Sequence, residues 1–352
     1  MTDSPMTAPT APGASAGEVL SGYLTTQAGA FLRALPQAVG EAGSRPGSLP
    51  ASAAGADDLL RAARRIGGAL HTFGPVFEPG WSGELRTELR WLLDLLGREP
   101  GYRRRAARLL AALDSLGGTS ADTPGMLAGH AGTPKARALL ERQLTLARTR
   151  AHTSLLQELR SSRLHALADR MTLLTGDVPL AGDAAGRSGA ALLGQAGAAF
   201  AALAAGAGRL PLDRAVQPYG GDGLHRLAAL PAPRSGAAPA PSDADSLIAA
   251  DDEPWHRVRI LLKRMRYALE VCGAPATGLD GLARALDRHR DASDAAATAS
   301  LAARTPRITP ATAYVLGVVH ADQRLEVEAA RYAFGVQWPK LPHHGWHEWA
   351  TV

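Results

Sequence analysis

Cysteine is almost missing from this chain: Cys272 stands alone among 352 residues. A single thiol excludes an internal disulfide framework and argues against a cysteine-built metal site. Aromatic residues make up only 5% of the sequence, and alternating β-branched runs are nearly absent, which excludes a sheet-based fold. No apolar run approaches about 18 residues, so no membrane-spanning helix is expected. The first 15 residues, MTDSPMTAPTAPGAS, have neither a charged leader nor an apolar stretch. They predict a disordered tail over 1–14 rather than a signal peptide, and hence a cytoplasmic location. GxGxxG, Walker and HExxH patterns are all missing, and the carboxylates are scattered or paired with arginine. No catalytic constellation stands out, so neither an enzyme, a cofactor nor a metal is expected. The C-terminal HHGWHEW lacks regular ligand spacing and reads as a solvated tail, despite His343, His344, His347 and Glu348.

Lysine is scarce too. Lys135, Lys263 and Lys340 are the only three among 38 basic residues. The remainder are arginines, whose planar fork matches phosphate oxygens in pairs. A compositional bias toward Ala, Gly and Arg explains the overall excess, but not its clustering on one helix face.

What the chain has in abundance is Ala, Leu, Arg and Glu at helical period, so the fold class is all-α. Helices are predicted over 17–35, 56–74, 82–97, 102–115, 135–160, 162–175, 188–206, 246–272, 278–303 and 309–334. The breaks at 40–50, 117–125 and 176–186 are rich in Gly and Pro, and 208–245 reads as a flexible loop. With 46% hydrophobic residues the chain can bury a sizeable core, as one large domain or two smaller ones.

Residues 255–272, WHRVRILLKRMRYALEVC, carry the most information. Val258, Leu261, Leu262, Met265, Ala268, Leu269 and Cys272 fall on one helical arc. His256, Arg259, Lys263, Arg266 and Tyr267 fall on the opposite one, with Arg257 and Arg264 at its flank. Such a cationic row repels itself, and a polyanion laid along it relieves the repulsion. The plain alternative is a solvated basic face. The stretch 56–73 lies over 255–272 when the chain is shifted by 199 positions. Arg64 then meets Lys263, Arg65 meets Arg264, and Leu70 meets Leu269. Each copy is followed by a second amphipathic helix. The pattern suggests two related bundles with basic faces turned toward each other. Arg86 and Arg90, four residues apart, join the candidate face. Arg148, His152, His289 and Arg290 complete it, although His152 shares an arc with leucines and reads equally well as a core histidine.

The segment HRVRILLKRMRYALE resembles the signature of the CHAD family, the conserved-histidine α-helical domain. The matching positions are His256, Arg259, Lys263, Arg264, Arg266 and Tyr267. Residues 15–32, 69–97, 148–161, 286–292 and 311–334 resemble other parts of the family, so the likeness spans roughly 15–338. It implies two pseudo-symmetric antiparallel four-helix bundles, about 15–175 and 186–338, followed by a tail over 339–352. It also implies a central basic cleft that binds inorganic polyphosphate without catalysis, with polyphosphate granules as a location within the cytoplasm. Departures cluster in the first half, where Asp57, Leu60, Gly67 and His71 stand at positions the family fills differently. Arg64 and Arg65 persist there. The expectation is a one-sided site, clamped mainly by the second repeat, whose binding is weak or lost. Rival readings are an enzyme acting on phosphoanhydrides, which needs acidic metal ligands in the cleft, and a regulatory partner protein that has shed its ligand. Nucleic-acid binding needs stacking aromatics, and only Tyr267 is placed to serve. No membrane partner is expected.

Overall fold

A computed structural model describes residues 13–42, 54–118, 125–217, 241–341 and 346. The long helices are α1 (Ala16–Ala42), α2 (Ala54–Thr72), α3 (Pro79–Gly117), α4 (Thr133–Glu158) and α5 (Ser162–Gly176). After the short α6 (Gly182–Ala185) come α7 (Ala191–Gly208), the short α8 (Leu212–Val216) and α9 (Pro241–Val271). The chain then folds into the hairpin of α10 (Leu279–Ala303) and α11 (Pro310–Gln337). No strands occur among the described residues, only isolated bridges pairing Ser15 with Ser188 and Phe77 with Leu180. The fold is all-α, as the periodicity requires. Helix starts follow side-chain chemistry: Ser161 and Thr309 accept from the backbone amides of Leu164 and Thr312, satisfying otherwise orphaned donors.

The segments 82–97 and 102–115, read as two helices, are one. Pro100 and Gly101 lie inside α3. Proline removes a ladder hydrogen bond and costs about 3 kcal/mol in a helix interior. Burial on both sides outweighs that cost. Leu85, Leu89, Leu92, Leu95 and Leu96 enter one hydrophobic cluster, and Leu109 and Leu113 enter another. Each buried leucine contributes about 1.5–3 kcal/mol.

The two clusters do not divide by repeat. The larger joins α1, α2, α5, α7, α9 and the first halves of α3 and α10. The smaller joins the far half of α3, the start of α4, the end of α10 and the start of α11. Between them runs a polar belt. Arg105 bonds Asp294 at 3.2 Å, and Arg108 bonds both Gln323 and Glu326. Helices α2 and α9, matched by the duplication, cross directly at the centre. A Cβ added at Gly68 would lie 2.7 Å from Tyr267 Cδ2, so this crossing requires glycine there. Gly68 therefore serves helix contact, whereas a Cβ at the neighbouring Gly67, the departure from the family, would meet nothing within 4 Å.

Three expectations change. The segment from 339 is not wholly a solvated tail: Leu341 and Trp346 are buried, and Trp346 meets Phe200 edge-on at 5.3 Å. Helix α7 is long and apolar enough to cross a membrane by composition, contrary to the reading of its sequence. Its alanines and glycines fill a helix whose buried face, including Leu192, Ala196, Phe200 and Leu203, lies in the core against α9. Finally, 208–245 contains α8 and the first turns of α9. Residues 1–12 and 218–240, and with them most of the expected tail and loop, lie outside the described residues, as do His343, His344, His347 and Glu348.

Candidate anion-binding cleft

Three helices bring the candidate cations together because each buries one face and turns the other inward. Helix α2 buries Leu59, Ile66 and Leu70, α3 buries Leu85 and Leu92, and α9 buries Val258, Leu262, Met265 and Leu269. Their remaining faces enclose a cleft of about 680 Å³. Arg64 comes from α2, Arg86 and Arg90 from α3, and Arg259, Lys263 and Arg264 from α9. The i, i+4 spacing places Arg86 above Arg90 and Arg259 above Lys263 on successive turns. Leu89, Leu93 and Ile260 give the cleft apolar footing, and Tyr267 lies over Gly68 at its wall.

The electrostatics of the cleft are lopsided. Arg64, Arg90 and Arg264 have no ion-pair partner among the described residues. Arg86 Nη2 donates to His71 Nδ1 at 2.8 Å, which fixes His71 as an acceptor and therefore neutral. Burial, then Arg264 and Arg86, lower the His71 pKa to about 4. Burial and the neighbouring Arg86 also lower the pKa of Arg264. On the opposite side Asp287 Oδ1 accepts from Arg259 Nε at 2.5 Å and lies 3.1 Å from Lys263 Nζ. Burial pushes the Asp287 carboxyl up, but Arg259 and Lys263 outweigh it and hold it below its ordinary value. Lys263 is lowered, by burial first and by Arg259 second, with Asp287 opposing. Among the described residues, Arg64, Arg86, Arg90, Arg259, Lys263 and Arg264 thus face one contacting carboxylate. This concentration of positive charge against apolar walls attracts anions.

The other sequence candidates are not brought into this cleft. Arg65 pairs with Glu270 at 2.7 Å and Arg266 with Asp280 at 2.8 Å, each outside the lining. Arg290 pairs with Asp294 at 3.1 Å, and His152 Nδ1 lies 3.0 Å from Glu99. Arg148 is half-buried on α4, away from the lining. His256 and His289 belong to the polar belt. Their rings meet edge-on at 5.3 Å, and His289 stacks on Trp255 at 5.5 Å. His289 is 1% exposed, and Arg331 Nε donates to its Nε2 at 3.3 Å. Burial, then Arg331, depress its pKa to about 2, so it is a packed neutral histidine. Arg331 is in turn held by Asp251 and by the buried Asp252, which also accepts from Arg324. The physical reason is angular: residues at the edge of the α9 polar arc turn toward α10 and its carboxylates, not toward α3. Conversely Arg264, assigned to the flank of the arc, lines the cleft. His71 was read only as a departure from the family, yet it lies seven residues beyond Arg64, on the same face of α2.

Among the described residues no group of three His, Cys, Asp or Glu side chains is arranged to hold a metal ion. Cys272 is buried and unpaired, and burial pushes its thiol up to about 12.

The profile of the CHAD domain matches residues 48–296. PptA from Streptomyces chartreusis shares 43% identity over 93% of this chain and 100% of its own, with a TM-score of 0.72. The CHAD domain from the plant Ricinus communis shares 17% identity over 97% of this chain and 98% of its own. Its TM-score of 0.49 makes that likeness too distant to inform the fold. No curated protein sequence matches.

Proposed function

The chain belongs to the CHAD domain family, and from that membership and the cleft together we propose that it binds inorganic polyphosphate without catalysing its turnover. One observation carries the reading: Arg64, Arg90 and Arg264 converge from three helices with no ion-pair partner among the described residues, and Arg86 beside them is held only by a neutral histidine. A linear phosphate polymer supplies repeated anionic oxygens that match guanidinium forks in pairs. Tyr267 is the only Phe, Tyr or Trp among the described lining residues, which favours phosphate over stacked bases. Binding would take place in the cytoplasm, at polyphosphate granules. Gel mobility with long-chain polyphosphate at about 50 mM salt tests the reading, since any cleft that uses several cations binds most tightly when salt is low. A shift is expected, and its absence rejects the proposal. Incubation with polyphosphate and Mg²⁺ should release no orthophosphate; release would reject the non-catalytic part.

A second reading has one observation in its favour. Asp287 already satisfies Arg259 and Lys263, and Asp280 satisfies Arg266, so half of the family signature is neutralised internally. A scaffold or regulatory partner with weak or lost polyphosphate binding would look like this. A pull-down separates the two: under the first reading polyphosphate is bound directly, under the second a protein is captured that polyphosphate does not displace.

A further inference from the structure

Asp287 stands where a phosphate oxygen would be expected. A single oxygen, Oδ1, serves both Arg259 Nε at 2.5 Å and Lys263 Nζ at 3.1 Å. These cations lie four residues apart on α9 and both line the cleft. Asp287 does not line it. It reaches in from α10, and its side chain is 44% exposed, so it can turn to solvent without disturbing the α2–α3–α9 walls. An anion bridging Arg259 and Lys263 from the cleft must compete with this carboxylate for the same donors.

We propose that Asp287 is an internal competitor for the ligand, a carboxylate that phosphate must displace from Arg259 and Lys263. This rests on the cleft reading above and assigns the residue that limits affinity and sets the charge density a ligand needs. An isolated small anion gains little by exchanging one carboxylate for itself. A polymer anchored on Arg64, Arg86, Arg90 and Arg264 brings further charge to the exchange from a position already held.

The test compares the wild-type chain, Asp287→Asn and Asp280→Asn by titration with long-chain polyphosphate at about 50 and about 200 mM salt. Asp280→Asn makes the same change in net charge on the same helix, at a carboxylate whose partner Arg266 is outside the cleft lining. Asp287→Asn is expected to bind about fivefold more tightly at the lower salt, the size of one charge–charge contact in a solvated site. Its salt dependence should steepen by up to about one in log–log slope, because a cation formerly matched by the protein now releases a counterion. Asp280→Asn should match the wild type. Binding by Asp287→Asn alone, with none by the wild type, would show Asp287 blocking the cleft and would reject polyphosphate binding by the unaltered chain. If the wild type binds and Asp287→Asn binds equally or more weakly, Asp287 orients Arg259 and Lys263 and the proposal is overturned. If no variant binds, the cleft reading itself fails.

Discussion

The two copies of the basic helix, α2 and α9, use the same kind of face to different ends. Helix α9 carries the fuller cationic pattern, yet much of it is answered from within: Asp287 takes Arg259 and Lys263, and Asp280 takes Arg266. The side built from α2 and α3 lends the cleft as many cations, Arg64, Arg86 and Arg90 against Arg259, Lys263 and Arg264, and Arg64 and Arg90 have no ion-pair partner among the described residues. A cation counts toward an external anion only if no internal one has claimed it. The half that looks eroded in sequence therefore contributes more free charge than the half that looks intact. Arg264 belongs in its position to α9 and in its electrostatics to the α3 side, facing Arg86.

The comparison breaks most readily at α3. Replacing Arg86 and Arg90 together by alanine should weaken polyphosphate binding about 30-fold or more, since each removes charge-assisted hydrogen bonds worth about 1.5–3 kcal/mol before solvent screening. Titration calorimetry reads this, and a loss under threefold would shift the site to α9. Next in size is the crossing of the two copies. Gly68→Leu should destabilise the fold by about 1–3 kcal/mol through overpacking on Tyr267, seen as a lowered unfolding midpoint. Gly67, one residue earlier, has nothing within 4 Å of an added Cβ. Gly67→Ala should stabilise by about 0.5–1 kcal/mol, as expected for a helix-interior glycine.

Acid tests a different contrast, between a cleft histidine and a belt histidine. Both His71 and His289 have folded-state values depressed below 6.5, to about 4 and about 2. The unfolded chain then binds more protons than the folded one below pH 6.5, so stability falls as pH drops from there. The loss due to His71 is complete near pH 4, whereas that due to His289 continues toward pH 2. Denaturant melts of His71→Gln should therefore lose part of the pH dependence between 6.5 and 4 and keep the remainder. The smallest effect is expected at the claimed cations: Arg65→Ala and Arg266→Ala should each change polyphosphate affinity by no more than about twofold.

Much of the fold was legible because helical period is a local property. Each predicted helix is present, and the only fusion, at Pro100–Gly101, occurs where two separate hydrophobic clusters hold the two halves of α3. The cleft was legible in part for the same reason. Periodicity places Arg64, Arg259, Lys263 and Tyr267 on polar faces, and the family likeness includes the last three in its signature. Periodicity does not say which neighbouring helix a polar face meets. His256, Arg266 and Arg290 meet α10 carboxylates or the polar belt, whereas Arg264 meets α3. Carboxylates such as Asp280 and Asp287, far along the chain, decide which cations remain available, and no local pattern announces them. Trp346 escaped notice because its partner Phe200 lies on α7, distant in sequence.

The most direct test is the salt dependence of long-chain polyphosphate binding by the wild-type chain. Unpartnered cations in one cleft predict measurable binding near 50 mM salt and a log–log slope of about −3 to −5, taking the nucleic-acid rule over to polyphosphate for four to six phosphate contacts. A slope near zero, or no binding at low salt, would contradict the account.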